Sequence, residues 1–79
     1  MKEVQVHSTA TIDSSAEIGD GSRLWVNVQV RENAKIGKNC ILSKDVYVDC
    51  NVVIGDHCKV QNSVSIYDGV TLESQVFVG

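Results

Sequence analysis

Every sixth residue from Val6 to Val78 is valine, isoleucine or leucine. The row runs Val6, Ile12, Ile18, Leu24, Val30, Ile36, Leu42, Val48, Ile54, Val60, Ile66, Leu72 and Val78, although these three types make up under a third of the chain. Two positions before each member lies a second row: Val4, Ala10, Ala16, Ser22, Val28, Ala34, Cys40, Val46, Val52, Cys58, Val64, Val70 and Val76. Every residue of this second row is small or aliphatic. A helix cannot use such a repeat, because at 100° per residue its apolar positions scatter around the axis. A strand can use it. Both rows fall on even numbers and therefore share one side of a pleated chain.

The remaining even positions are nearly all polar, among them Ser8, Asp20, Glu32, Lys44, Asn62 and Asp68. The even positions therefore read inward, inward, corner, with strands of about four residues between tight bends. The residue after each corner is Thr9, Ser15, Gly21, Asn27, Asn33, Asn39, Asp45, Asn51, His57, Ser63, Gly69 or Gln75. Eight of these twelve are Gly, Asn, Asp or His, the types that best tolerate positive φ. Three strands and three corners close a triangle, so one coil takes eighteen residues and the chain makes about four. Successive coils should pair as parallel strands about 4.8 Å apart. The expected fold is an all-β, triangular parallel β-helix, one domain over residues 1–79.

The prism predicts three outward faces. Thr11, Gln29, Tyr47 and Ser65 share one with Asp13, Arg31, Asp49 and Tyr67. Glu17, Lys35, Val53 and Thr71 share a second with Gly19, Gly37, Gly55 and Glu73. Arg23, Ile41, Lys59 and Phe77 share the third with His7, Trp25, Ser43 and Gln61. Trp25, Ile41 and Phe77 make that third face more apolar than a solvated sheet needs, which marks it as a contact surface. A chain of 79 residues buries little core, and terminal repeats need caps. A homo-oligomer, or a piece of a longer solenoid, is expected.

Composition excludes several function classes. The net charge is −3 and the seven Lys and Arg residues are scattered, unlike the basic patch of a nucleic-acid binder. No apolar run approaches membrane length and the start carries no signal-type apolar region, so neither membrane insertion nor secretion is expected. Three cysteines without CxxC spacing point to a reducing cytoplasm. Cys40 and Cys58 lie one coil apart in the inward row, about 5 Å by the strand spacing, and read as neighbouring core thiols. Cys50 sits on a corner and should react first with a thiol reagent. No three ligand-type residues converge, so no metal is expected. His7 and His57 are the candidates for a general base, but His57 fills an ordinary turn position and His7 lies beside an end of the prism.

The hexapeptide code resembles the left-handed β-helix acyltransferases. A narrower resemblance rests on HSTATIDSSAEIGDGSRLW, ENAKIGKNC, VIGDHCKVQNSVSIYDGVTLE and VFVG, strongest over Lys59–Glu73. These segments look like the N-terminal half of bacterial N-acetyltransferases that act on nucleotide-linked 3-amino sugars for O-antigen or surface-glycan synthesis. The resemblance implies a left-handed coil, a homotrimer, acetyl-CoA as co-substrate and a nucleotide-sugar acceptor bound between subunits. It also implies further coils beyond the position of Gly79. Gln61 and Asn62 match the family's Gln-Asn and are candidate substrate-binding residues. Trp25 and Tyr67 are candidates to flank a nucleotide or to pack against a neighbouring subunit. The chain departs from the family where Val26-Asn27-Val28-Gln29 follow Trp25 in place of a His-Phe and a further His. It departs again at Ser43-Lys44-Asp45-Val46-Tyr47, where the family has Gly-Gln-Asn-Val-Phe. No Ser-His-Asp or Cys-His set is present, and no catalytic residue is assigned. The alternative is a non-catalytic hexapeptide-repeat module serving oligomerisation or scaffolding.

Overall fold

In the computed structural model, which describes residues 3–79, the main chain turns through a corner every six residues. Between corners lie the strands β1 Gln5–Val6, β2 Thr11–Ile12, β3 Glu17–Ile18, β4 Arg23–Leu24, β5 Gln29–Val30, β6 Lys35–Ile36, β7 Ile41–Leu42, β8 Tyr47–Val48, β9 Val53–Ile54, β10 Lys59–Val60, β11 Ser65–Ile66, β12 Thr71–Leu72 and β13 Phe77–Val78. Three parallel sheets result, in the orders β1-β4-β7-β10-β13, β11-β8-β5-β2 and β12-β9-β6-β3. We call them the first, second and third sheets. Each strand pairs with those eighteen residues away, as in Gln5↔Arg23, Gln29↔Tyr47 and Lys35↔Val53. This is a parallel β-helix of triangular section with about four coils. The described residues include no helix, and so none that could cross a membrane.

The paired strands are two residues long rather than the expected four. At seven of the twelve bends a four-residue turn is closed by a bond from its last N–H to its first carbonyl, such as Val28 N–H to Trp25 O at 3.3 Å. Four of every six residues are therefore spent on the corner.

All sixteen buried residues among those described lie on the two even-numbered rows. Ile54, Leu42, Val30 and Val60 fill the axis, and Val28, Val46 and Val52 close the gaps beside the corners. Burial fades toward both ends of the stack, where Val6 and Val70 are exposed and Ile12, Leu72, Val76 and Val78 are half-buried. One buried residue is polar. Ser22 Oγ–H donates to Gly37 O at 2.8 Å, and the same oxygen accepts Cys40 N–H at 3.0 Å. One and two coils further on, Cys40 Sγ–H donates to Gly55 O and Cys58 Sγ–H to Glu73 O, each at 3.1 Å. Both cysteines are free and buried, as the sequence pattern indicated. Their thiols cap inward-turned carbonyls that would otherwise lack a partner.

Ten of the twelve corners have positive φ, from 56° at Asn39 to 79° at Gly21. Positive φ at the third residue of a turn flips the preceding carbonyl. At seven of these corners that carbonyl accepts an N–H from the coil above, as Asp20 O does from Asn39 N–H (3.0 Å) and Lys44 O from Ser63 N–H (2.8 Å). The two exceptions are Thr9 and Ser15. There the side chain substitutes for the carbonyl: Thr9 Oγ1 accepts Asn27 N–H at 2.8 Å and Ser15 Oγ accepts Asn33 N–H at 2.9 Å. The sequence pattern placed these corners correctly but did not separate the two turn types.

Gly19, Gly37 and Gly55 stack at one corner. A Cβ on Gly37 would stand 2.7 Å from Gly55 C and 2.8 Å from Asp56 N of the next coil. Those contacts are main chain and cannot move without opening the ladder. Gly37→Ala is expected to cost about 1–3 kcal/mol, read as a lowered urea midpoint. Gly69→Ala meets no atom within 4 Å but holds φ at +78°. It should lose only the left-handed strain of about 1–2 kcal/mol, and an undisturbed Gly37→Ala would overturn the close-approach argument.

Candidate functional site

The candidate residues lie on the corners that join the sheets. Trp25, Ser43 and Gln61 occupy equivalent positions one coil apart where the first sheet ends, and Val26, Lys44 and Asn62 are the corner residues that follow. Together Trp25, Val26, Ser43, Lys44 and Asn62 line an open groove. Trp25 is 47% exposed and forms one end of it. Asn62 is exposed at the other end. Lys44 donates to Asp45 Oδ2 at 2.9 Å, so its ammonium is committed to its neighbour. That bond, with a second from Asn27, holds the Asp45 carboxyl below its ordinary range. Gln61 is half-buried, and its N–H donates to Val78 O at 2.9 Å, which keeps it in the first sheet's ladder.

Tyr67 stands elsewhere. It lies on the next corner, above Asp13, Arg31 and Asp49, and is 70% exposed. The structure therefore brings Trp25 and Asn62 together, keeps Gln61 beside them, and holds Tyr67 on a separate edge. Six residues along this chain are a third of a coil, so the tyrosine just beyond Gln61 and Asn62 in sequence projects in another direction.

The Tyr67 edge carries a polar network that was not singled out from the sequence. Arg31 Nε donates to Glu32 Oε1 at 2.8 Å and Nη1 to Tyr47 Oη at 2.9 Å. Tyr47 Oη–H points to Asp49 Oδ1 at 3.4 Å, and the same oxygen accepts Cys50 N–H at 2.7 Å. Ser15 donates both its N–H and its hydroxyl to Asp13 Oδ2. Glu32 and Tyr47 hold the Arg31 guanidinium firmly protonated. The carboxyls of Asp13, Glu32 and Asp49 are all lowered, chiefly by hydrogen bonds from Ser15, Arg31 and Cys50 N–H respectively. Each charge is already answered, so the network braces the corner and offers no free base. Its signal in the sequence was the eighteen-residue column Asp13, Arg31, Asp49 with Tyr47 two positions back.

Neither histidine is placed as a base. His57 holds φ at 59° and donates its N–H to Lys38 O, so turn geometry accounts for it. His7 Nδ1 accepts Thr9 N–H at 3.2 Å and lies 2.9 Å from Thr9 Oγ1. Among the described residues no three His, Cys, Asp or Glu side chains converge as a metal site would need. On the third outward face the apolar patch is broken. Lys59 stands between Ile41 and Phe77 in the column and sets its ammonium 5.8 Å from the centre of the Phe77 ring.

The model of the bacterial transferase hexapeptide (six repeats) family matches residues 15–50 and 33–68, which together cover more than half of the chain. The two matches are offset by eighteen residues, one coil of the prism. The chain belongs to the bacterial transferase hexapeptide-repeat family. No curated protein matches it significantly. Membership accounts for the coil, the corner chemistry and the core, and is compatible with either a transferase or a repeat module.

Two tests follow from the edge network. A group whose folded-state pKa is depressed stabilises the fold above its unfolded value, and that stability is lost as pH falls through the folded value. Stability should therefore be level from neutral pH to about 5 and decline below about 4, followed by urea midpoints. Alkylation of the native protein should modify Cys50 alone, because Cys40 and Cys58 are buried. It should run slower than for an unfolded thiol, since partial burial and the Glu32 carboxylate push the Cys50 thiol up. Peptide mass mapping reads both expectations.

Proposed function

We propose that this chain is part of an acetyl-CoA-dependent N-acetyltransferase acting on a nucleotide-linked amino sugar for surface-polysaccharide synthesis. It works in the cytoplasm as a homotrimer. The observation that carries this reading is the hexapeptide-family β-helix with its candidate residues divided between two edges. Trp25 and Asn62 lie on one and Tyr67 on another, so a complete cleft needs the edge of a second copy. The sequence resemblance over Lys59–Glu73 supplies the substrate class.

The chemistry asks for placement more than for acid–base power. A neutral sugar amine attacks the thioester carbonyl, the C–N bond forms, the C–S bond breaks to release the coenzyme thiolate, and the amine proton passes through solvent, which protonates the departing thiolate. What the protein contributes is orientation and hydrogen-bond donors for the developing oxyanion. Asn62, and Gln61 beside it, carry amide N–H groups of that kind, and the Trp25 indole offers a flat wall for a base or sugar ring.

One observation favours a second reading. Asp13, Glu32 and Asp49 on the Tyr67 edge are already engaged by neighbours, as suits a scaffold module. Labelled acetyl transfer to a nucleotide-linked 3-amino sugar, with mass by light scattering, separates the two. The transferase reading expects a trimer in which Trp25→Ala and Tyr67→Ala each lower turnover severalfold. Mixed trimers of the two variants should regain part of the activity, because some clefts then hold both native residues. A trimer without transfer would support the scaffold, and a monomer would sink both readings.

A further inference from the structure

The first sheet's outward face differs in charge from the rest of this acidic protein. Its outward side chains are Gln5, His7, Arg23, Trp25, Ile41, Ser43, Lys59, Gln61 and Phe77, with no aspartate or glutamate among them. Two cations therefore stand on this face, while the carboxylates occupy the other faces and the corners. Within the described residues, the ion pairs are Arg31–Glu32 and Lys44–Asp45, and neither involves this face. Lys59 is turned toward Phe77. Arg23 has no side-chain hydrogen bond or ion pair among the described residues.

Arg23 borders a groove of about 200 Å³ between β1 and β4, lined by residues 5–7 and 23–25. Odd-numbered side chains point outward here, so Gln5 and Arg23 form one wall and His7 and Trp25 the other. Leu24 is buried on the core side, and its main chain helps to floor the groove. The His7 ring is oriented from outside the groove. Because Nδ1 accepts Thr9 N–H, the ring proton sits on Nε2. Among the described residues, the groove thus presents a guanidinium without a partner, an imidazole N–H, a side-chain amide and the face and N–H of an indole, with no carboxylate in its lining to oppose an anion.

We propose that this groove binds a small anionic sugar, a single pyranose ring bearing a carboxylate or phosphate. The oxyanion pairs with Arg23 in the forked geometry that guanidinium favours, with His7 Nε2–H as a further donor. The ring lies against Trp25 and exchanges hydrogen bonds with Gln5. The volume sits below that of a cleft for an extended ligand, which limits the occupant to one ring and its charged substituent. The groove lies on the opposite side of Trp25 from Asn62, and its occupancy does not depend on the transferase reading.

The chain has one tryptophan, so indole fluorescence reports directly. The full chain is titrated at low salt with glucuronate, glucose 1-phosphate and neutral glucose. A saturable change with either anionic sugar, and none with glucose, is expected; the stronger of the two identifies carboxylate or phosphate as the preferred group. Arg23 is exposed, so Arg23→Gln should keep the fold, checked by circular dichroism, and weaken binding about tenfold. Lys59→Gln, on the same face but outside the groove, should bind as the native chain does. Absence of saturation, equal binding of glucose, or equal weakening by Lys59→Gln and Arg23→Gln would each overturn the proposal. Acetyl transfer is a separate assay, so either idea can fail alone.

Discussion

The structure depends on one constraint. Most main-chain hydrogen bonds must be made to the coil eighteen residues away. Two-residue strands are too short to stabilise anything in isolation, and a corner every six residues leaves no room for local ladders. Arg23 N–H donates to Cys40 O, and Ile41 N–H to Cys58 O, both in the next coil. Any slip of one residue would also turn the Leu24, Leu42 and Val60 side chains to solvent. Register, core and hydrogen bonding are therefore a single condition, met together or lost together.

Corners meet that condition by two chemical routes. At the seven positive-φ corners from Gly21 to His57, all Gly, Asn, Asp or His, the main-chain carbonyl before the corner residue turns along the axis and joins the next coil. Where Thr9 and Ser15 stay at negative φ, a hydroxyl takes over as acceptor. Ser63 and Gln75 adopt positive φ without being residues that favour it, and each is tied to the preceding coil by its N–H, Ser63 to Lys44 O and Gln75 to Asp56 O. The stack of Gly19, Gly37 and Gly55 answers a different need, the close approach of successive main chains, with Ser22, Cys40 and Cys58 capping the carbonyls behind it.

Freed from folding, the outward positions divide by edge. The Tyr67 edge spends its charges on Arg31, Tyr47 and Asp49 and becomes a brace. The Trp25 edge leaves its indole, its amides and a neighbouring arginine available. Such division follows from the triangular section, which sends side chains six residues apart in directions a third of a coil apart.

The sequence by itself determined the core rows, the corner positions, the three sheets and the eighteen-residue register, because each is written as a strict period that only a turning strand satisfies. It also marked Cys40 and Cys58 as core thiols, since both fall in the inward row. Tertiary structure decided what lies beyond the period. The chemistry at Thr9 and Ser15 depends on the sign of φ, which residue type does not fix. The Arg31 network depends on rotamers that reach across coils, and Arg31 and Tyr47 are sixteen residues apart. The separation of Tyr67 from Trp25 and Asn62 depends on which way each corner points. A period specifies where the chain turns; the directions and reach of the side chains at those turns exist only once the coils are stacked.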